Sequence, residues 1–232
     1  MRQIVLDTET TGIDPGLGHR VIEIGGVEIV NRRLTGRHFH EYLKPDRQVD
    51  AGALAVHGIT DAFLADKPCF EVVVDAFLSF VDGAELVIHN APFDVGFLNA
   101  ELARLDRSAI TSHCSVLDTL ALARRMYPGQ RNSLDALCKR LDVDNAGRAL
   151  HGALLDSEIL ADVYLLMTGG QTALDLASEV ASADGAVQVQ METTGLGAVP
   201  RASEAERSAH ADYLDMIERE SGGPARWHAL VP

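Results

Sequence analysis

Cysteine is scarce: Cys69, Cys114 and Cys138 are the only three in 232 residues, and no CxxC pair is among them. An odd, scattered set supports neither a disulfide framework nor a zinc ribbon, and it suits a reducing compartment. Aromatic residues make up 5%, and 20 Lys and Arg face 34 Asp and Glu, for a formal net charge of -14. A chain of that sign does not grip duplex DNA alone with a broad basic face, because its own field repels the polyanion. No uncharged apolar stretch reaches the roughly 18 residues that a membrane span needs. The first residues carry no basic-then-apolar leader. The expectation is a cytoplasmic protein with no membrane contact.

What is present is ample core material, at 47% hydrophobic residues, and a length that suits one domain plus an appendage. Ile4-Val5-Leu6 is a continuous apolar run, as in a central strand covered on both faces. Residues 21–30, VIEIGGVEIV, alternate and read as a second strand with a bulge at Gly25-Gly26, and 34–43 as a third, giving an antiparallel meander. Val73, Phe77, Phe80 and Val81 recur at helical spacing, and Leu86-Val87-Ile88 is a short buried strand. Pro92 suits a first helical turn, followed by an apolar face of Phe93, Phe97, Leu98, Leu102 and Leu105. A weak strand at 115–117 and helices at 118–127, 133–141 and 152–167 complete an α/β fold with a mixed five-stranded sheet flanked by helices. This core ends near 168. Residues 169–200 read as a flexible linker, and 201–232 as a tail whose helix opens at the capping box Ser203-x-x-Glu206.

Asp7 and Glu9 stand two apart at the exit of the first strand, so both carboxylates project to one face. Taken alone, they are equally a strand end with solvated acids; Asp156-Ser157-Glu158 repeats the pattern. Asp94 falls in a first helical turn after a second strand, and Asp156 near another helix start, five residues after His151. Each has an ordinary reading as a helix-dipole partner. Together they supply hard oxygen ligands and a base to one crevice, as Mg²⁺ or Mn²⁺ requires. Two such ions ~4 Å apart hold an attacking water and a leaving oxygen on opposite sides of phosphorus.

DTETTG at 7–12, NAPFD at 90–94 and HGALLDSEIL at 151–160 resemble the three motifs of the DEDDh 3′–5′ exonucleases. VIEIGGVEIVNRRLTG, YLKPDR, VHGIT, RNSLDALC and the GGQT after the core are similar to the proofreading subunits of bacterial DNA polymerase III, closely over about 1–175 and loosely beyond. The resemblance implies an RNase H-like fold and release of 3′-terminal nucleotides as monophosphates from a single-stranded or frayed 3′ DNA end. It implies two Mg²⁺ or Mn²⁺ ions held by Asp7, Glu9 and Asp156, with Asp7 shared and Asp94 acting through a bound water. His151 becomes the general base. It further places His57 against the terminal nucleotide, and Thr8 and the backbone of 10–12 against its sugar and base, Gly12 because a residue without Cβ permits close approach. Asp7, Glu9 and Asp156 meet the substrate as well. Gly52 stands where the family often has Glu. An RNA-trimming or general single-strand exonuclease is the alternative within the same chemistry, and an adaptor between polymerase and clamp the alternative outside it.

The acidity is unevenly spread. Residues 1–168 hold 16 basic against 24 acidic side chains, and 169–232 hold 4 against 10. Only 124–140, with five basic against one acidic residue, offers a candidate phosphate track; a solvated helix face is the plain reading. Gln171, Leu174 and Leu176 resemble a peptide that binds the sliding clamp (beta). Tyr213, Ile217 and Trp227 are candidate anchors for the catalytic (alpha) polymerase subunit, or pack back onto the core. A small accessory subunit is a further partner compatible with the family.

Overall fold

A computed structural model describes residues 1–145, 150–169 and 202–221. The peptide at 171–176 and Trp227 lie outside them. The chain divides into two compact units, Met1–Asp175 and Leu176–Pro232.

In the first unit, β1 (Arg2–Thr10), β2 (Val21–Val30) and β3 (Arg33–Tyr42) form the antiparallel meander, while β4 (Glu85–Ile88) and β5 (Ser115–Asp118) run parallel to β1. The sheet order is β3-β2-β1-β4-β5. Helices α1 (Ala51–His57), α2 (Asp61–Leu64), α3 (Phe70–Val81), α4 (Ala91–Arg104), α5 (Thr119–Met126), α6 (Leu134–Leu141) and α7 (Ala153–Gly169) complete it.

The continuous apolar run of β1 has a direct cause. Ile4 and Leu6 pack into a cluster with Phe77 of α3 and Phe97 of α4, whereas Val5 joins Ile159 and Val163 of α7 on the opposite face. A strand buried on both sides has no solvent face on which to alternate. Helix α7 is apolar nearly all round because it is buried against β1, β2 and α6.

Two features depart from the sequence reading. Gly25 and Gly26 are not a bulge: they pair in regular register with Asp7 and Leu6, and the shift on this side of the hairpin falls between Val27 and Ile29. Gly25 instead makes room for a helix. A Cβ there would lie 2.2 Å from the backbone of Ala153 and Leu154, at the start of α7. Helices α1 and α2 carry no such periodic signal, because seven- and four-residue segments are too short to establish a 3.6-residue period.

In the second unit, α8 (Glu204–Ser221) begins as the capping box requires. The Ser203 amide and hydroxyl both donate to Glu206 Oε2 at 2.8 Å, and the Glu206 amide donates back to Ser203 Oγ at 3.3 Å. Tyr213 is exposed and Ile217 partly so; the buried apolar side chain of this helix is Leu214.

Because the contact at Gly25 is with backbone, which cannot rotate away, Gly25→Ala should cost about 3 kcal/mol or more. Gly26→Ala meets Ile4 Cγ2 at 3.3 Å, the Phe80 ring at 3.5 Å and the Val5 carbonyl oxygen at an ordinary 3.6 Å, and should cost about 1 kcal/mol or less. Urea unfolding of both variants checks this; equal losses would contradict the role given to Gly25.

Candidate active site

The carboxyl ends of β1, β4 and β5 open into a cleft of about 730 Å³, the place where open α/β sheets ordinarily take ligands. Asp7, Glu9, Asp94, His151 and Asp156 all line it, as does Thr8. The five residues picked from sequence therefore converge, although they arrive from different sides.

The period of two on β1 turns Val5, Asp7 and Glu9 toward α7. Asp156 meets them from the first turn of α7, where its amide donates to the Gly152 carbonyl at 2.8 Å. That turn is fixed from below: the buried Ser157 hydroxyl reaches the Gly25 carbonyl at 2.9 Å and the Ala153 carbonyl at 2.8 Å. Since Gly25 pairs with Asp7, the bond to Gly25 places Asp156 relative to the first acid. His151 Nδ1 lies 3.2 Å from Asp156 Oδ2. One ligand atom each from Glu9, His151 and Asp156 lie within 4.8 Å of one another. Carboxylate oxygens with a single imidazole fit a hard divalent cation such as Mg²⁺ or Mn²⁺ rather than a sulfur-seeking metal.

Asp94 comes over the opposite face of the sheet, at the start of α4. Asn90, in the left-handed conformation at φ 68°, turns the chain from β4 into that helix, and its amide donates to Asp118 Oδ1 at 3.1 Å. Thr8, pointing away from Asp7 and Glu9 on β1, donates its hydroxyl to Asp94 Oδ1 at 2.7 Å. Burial pushes the Asp94 carboxyl up to about 7, against the lowering effect of Thr8 and with a raising contribution from Asp118.

Other expected residues sit differently. His57 is buried, with Nδ1 accepting from the Ile59 amide at 2.9 Å; its neighbour Val56 lines the cleft, and His57 is not among the lining residues. Desolvation lowers the pKa of His57, opposed by the Thr10 carbonyl and Glu23. Gly12 does lack a Cβ for a steric reason, but its neighbour is protein: a Cβ would lie 2.2 Å from the His19 ring. Gly52 is exposed, with nothing within 4 Å of a Cβ.

The basic segment divides. Arg124 lines the cleft with Gln130 and Asn132. Arg140 turns inward, donating to the Arg131 carbonyl at 2.8 Å and Asn132 Oδ1 at 3.2 Å, and lies 4.5 Å from the Tyr127 ring centroid. It braces the loop that carries Asn132. His89, whose Nδ1 is 2.9 Å from Thr119 Oγ1, also lines the cleft. Sequence reasoning missed His89, Asn132 and Gln130, although NAPFD directly follows His89 and RNSLDALC contains Asn132.

A family model described as Exonuclease matches residues 4–164, and the chain belongs to that exonuclease family. The exonuclease X structure, in complex with 5′-overhanging duplex DNA, is 28% identical with a TM-score of 0.58, over 72% of this chain and 91% of that one. E. coli exonuclease I bound to a dA16 oligonucleotide shares the fold at 20% identity, with a TM-score of 0.62, over 72% of this chain and 41% of its own. Within the family the chain falls among the DNA polymerase III epsilon subunits. It is 53% identical to that of Salmonella typhimurium and 52% to that of Escherichia coli K12, covering 98% of both chains in each pair.

The Asp94 environment gives a pH signature. With a carboxyl near 7 in the metal-free native state and an ordinary 3.8 when unfolded, the folded form binds more protons between those values. Stability should therefore fall as pH rises from about 4 to 7, by up to about 1.4 kcal/mol per pH unit. Asp94→Asn, which fixes the neutral form, should flatten that fall. Thermal melts in EDTA at pH 5 and pH 8 measure it; parallel slopes for the two proteins would count against a raised Asp94.

Proposed function

We propose that the chain is a metal-dependent 3′–5′ exodeoxyribonuclease that removes mismatched 3′-terminal nucleotides as monophosphates for a replicative polymerase. The observation that carries this reading is the meeting of Glu9, Asp156 and His151 within 4.8 Å, in one cleft with Asp7 and Asp94. The epsilon-subunit relatives support the proofreading setting.

Asp7, Glu9 and Asp156 would hold two divalent ions, with Asp94 contributing through water. Such ions would supply positive charge against the charge developing on the phosphoryl group and would lower the pKa of the attacking water. His151 takes the proton from the attacking water, with Asp156, 3.2 Å from Nδ1, orienting the ring. Thr8 keeps Asp94 at the floor of the cleft through its 2.7 Å hydrogen bond. Arg124 offers a cation to a phosphate further along the strand. His57, next in the chain to Val56 of the cleft wall, would contact the terminal nucleotide. The backbone at Thr10–Gly12 would meet the terminal sugar and base, with His19 backing Gly12.

The remaining assignments extend the same reading. Residues 1–168 form the nuclease domain, 169–200 a linker and 201–232 a polymerase-binding tail. Gln171, Leu174 and Leu176 engage the sliding clamp (beta), and Tyr213, Ile217 and Trp227 the polymerase alpha subunit. The exposure of Tyr213 suits an anchor awaiting a partner. Among the described residues no helix is long and apolar enough to cross a membrane, and cytoplasmic replication is the setting proposed.

Asp7→Ala and Asp156→Ala should each reduce nucleotide release from a mismatched 3′ end by at least about a hundredfold with little loss of fold. EDTA should do the same to the parent protein, with Mg²⁺ or Mn²⁺ restoring it. Full activity in either variant sinks the site, and a strong preference for short RNA over mismatched primer-template would move the substrate to RNA. Deleting 201–232 should abolish co-purification with the polymerase and spare nuclease activity.

A further inference from the structure

We propose that the end of α1 is the seat of the general base, with Gly58 acting as a positioning residue for His151. This rests on the reading of His151 as base. His151 is exposed and follows directly on Leu150, so its position depends on what holds the chain beside it. Among the described residues, residues 56–58 supply contacts that do so. The His151 amide donates to the Val56 carbonyl at 3.2 Å. Leu150, although half exposed, lays its side chain over Gly58: a Cβ on residue 58 would lie 2.6 Å from Leu150 Cδ1.

Gly58 caps α1 in the left-handed conformation, at φ 71°, and its amide closes the helix onto the Leu54 carbonyl. The position thus needs glycine for two separable reasons. One is the backbone conformation, which Asn tolerates better than other residues. The other is the absence of a Cβ, which leaves room over residue 58 for Leu150 Cδ1, one residue before the His151 amide that meets Val56. Asp156 meets the imidazole 3.2 Å from Nδ1, so the residue is held by α1 at its main chain and by α7 at its ring.

The separation of the two reasons gives the test. Gly58→Asn and Gly58→Ala both add a Cβ, but differ in backbone strain. Each should lower kcat for nucleotide release by about tenfold or more, with KM within about threefold. Mn²⁺ affinity should remain near that of the parent, because Asp7, Glu9 and the Asp156 turn are untouched. Adding Leu150→Ala to either variant removes the atom the Cβ strikes, and should return most of the lost kcat even though the strain at residue 58 remains. Melting temperatures identify any variant that has lost its fold, and the Asn variant serves if the Ala variant has. Full kcat in a folded Gly58 variant, or the same kcat with and without Leu150→Ala, overturns the seat. His151→Ala is the separate control: if it keeps parental kcat, the reading of His151 as base fails, whatever the Gly58 variants do.

Discussion

The site depends on the close approach of α7 to β2 over Gly25. A helix ordinarily stands off a sheet by the depth of side chains from both. Here the backbone of Ala153 and Leu154 occupies the space where a Cβ on residue 25 would be, and Ser157 locks the contact by donating to the Gly25 carbonyl. Asp156 is thereby brought from a helix to within ligand distance of Glu9 on a strand that is not its sequence neighbour. The same seam carries Val5 and the apolar residues of α7, so burial of the core and assembly of the acids are one event.

Crowding carboxylates is electrostatically unfavourable, and the fold distributes that cost. Asp7 and Glu9 face one side of β1, while Asp94 is drawn over the other side by Thr8. The Asp94 carboxyl is buried so deeply that its proton affinity rises toward neutrality. Asp118, which raises it further, is itself occupied with the amides of Asn90, Leu120 and Ala121. Cations that favour oxygen ligands would relieve this arrangement.

Much of this was legible in sequence because it rests on local pattern. Ile4 to Leu6 announced a doubly covered strand, Pro92 a helix start, and Ser203 with Glu206 a capped one. The five motif residues are identifiable because chemistry restricts residue type at each. What was not legible is how segments distant in sequence press on one another. Gly25 looked like a bulge, since a missing Cβ says that something is close without saying what; at Gly25 it is α7, and at Gly12 the His19 ring lies where a Cβ would be. Arg140 counted toward a phosphate track, yet it braces the 127–132 loop. Composition cannot distinguish an arginine that faces solvent from one that caps carbonyls. His89 carried no motif of its own, and only the strand ends brought it into the cleft.

On the proposed reading, the acids gathered by the α7 seam bind two divalent ions. Calorimetric titration of Mn²⁺ into the full chain, with a deoxynucleoside monophosphate present, addresses it most directly. The account predicts two bound ions in the parent protein and loss of at least one in Asp156→Asn. Absence of binding in the parent, or unchanged binding of two ions by the variant, would contradict it.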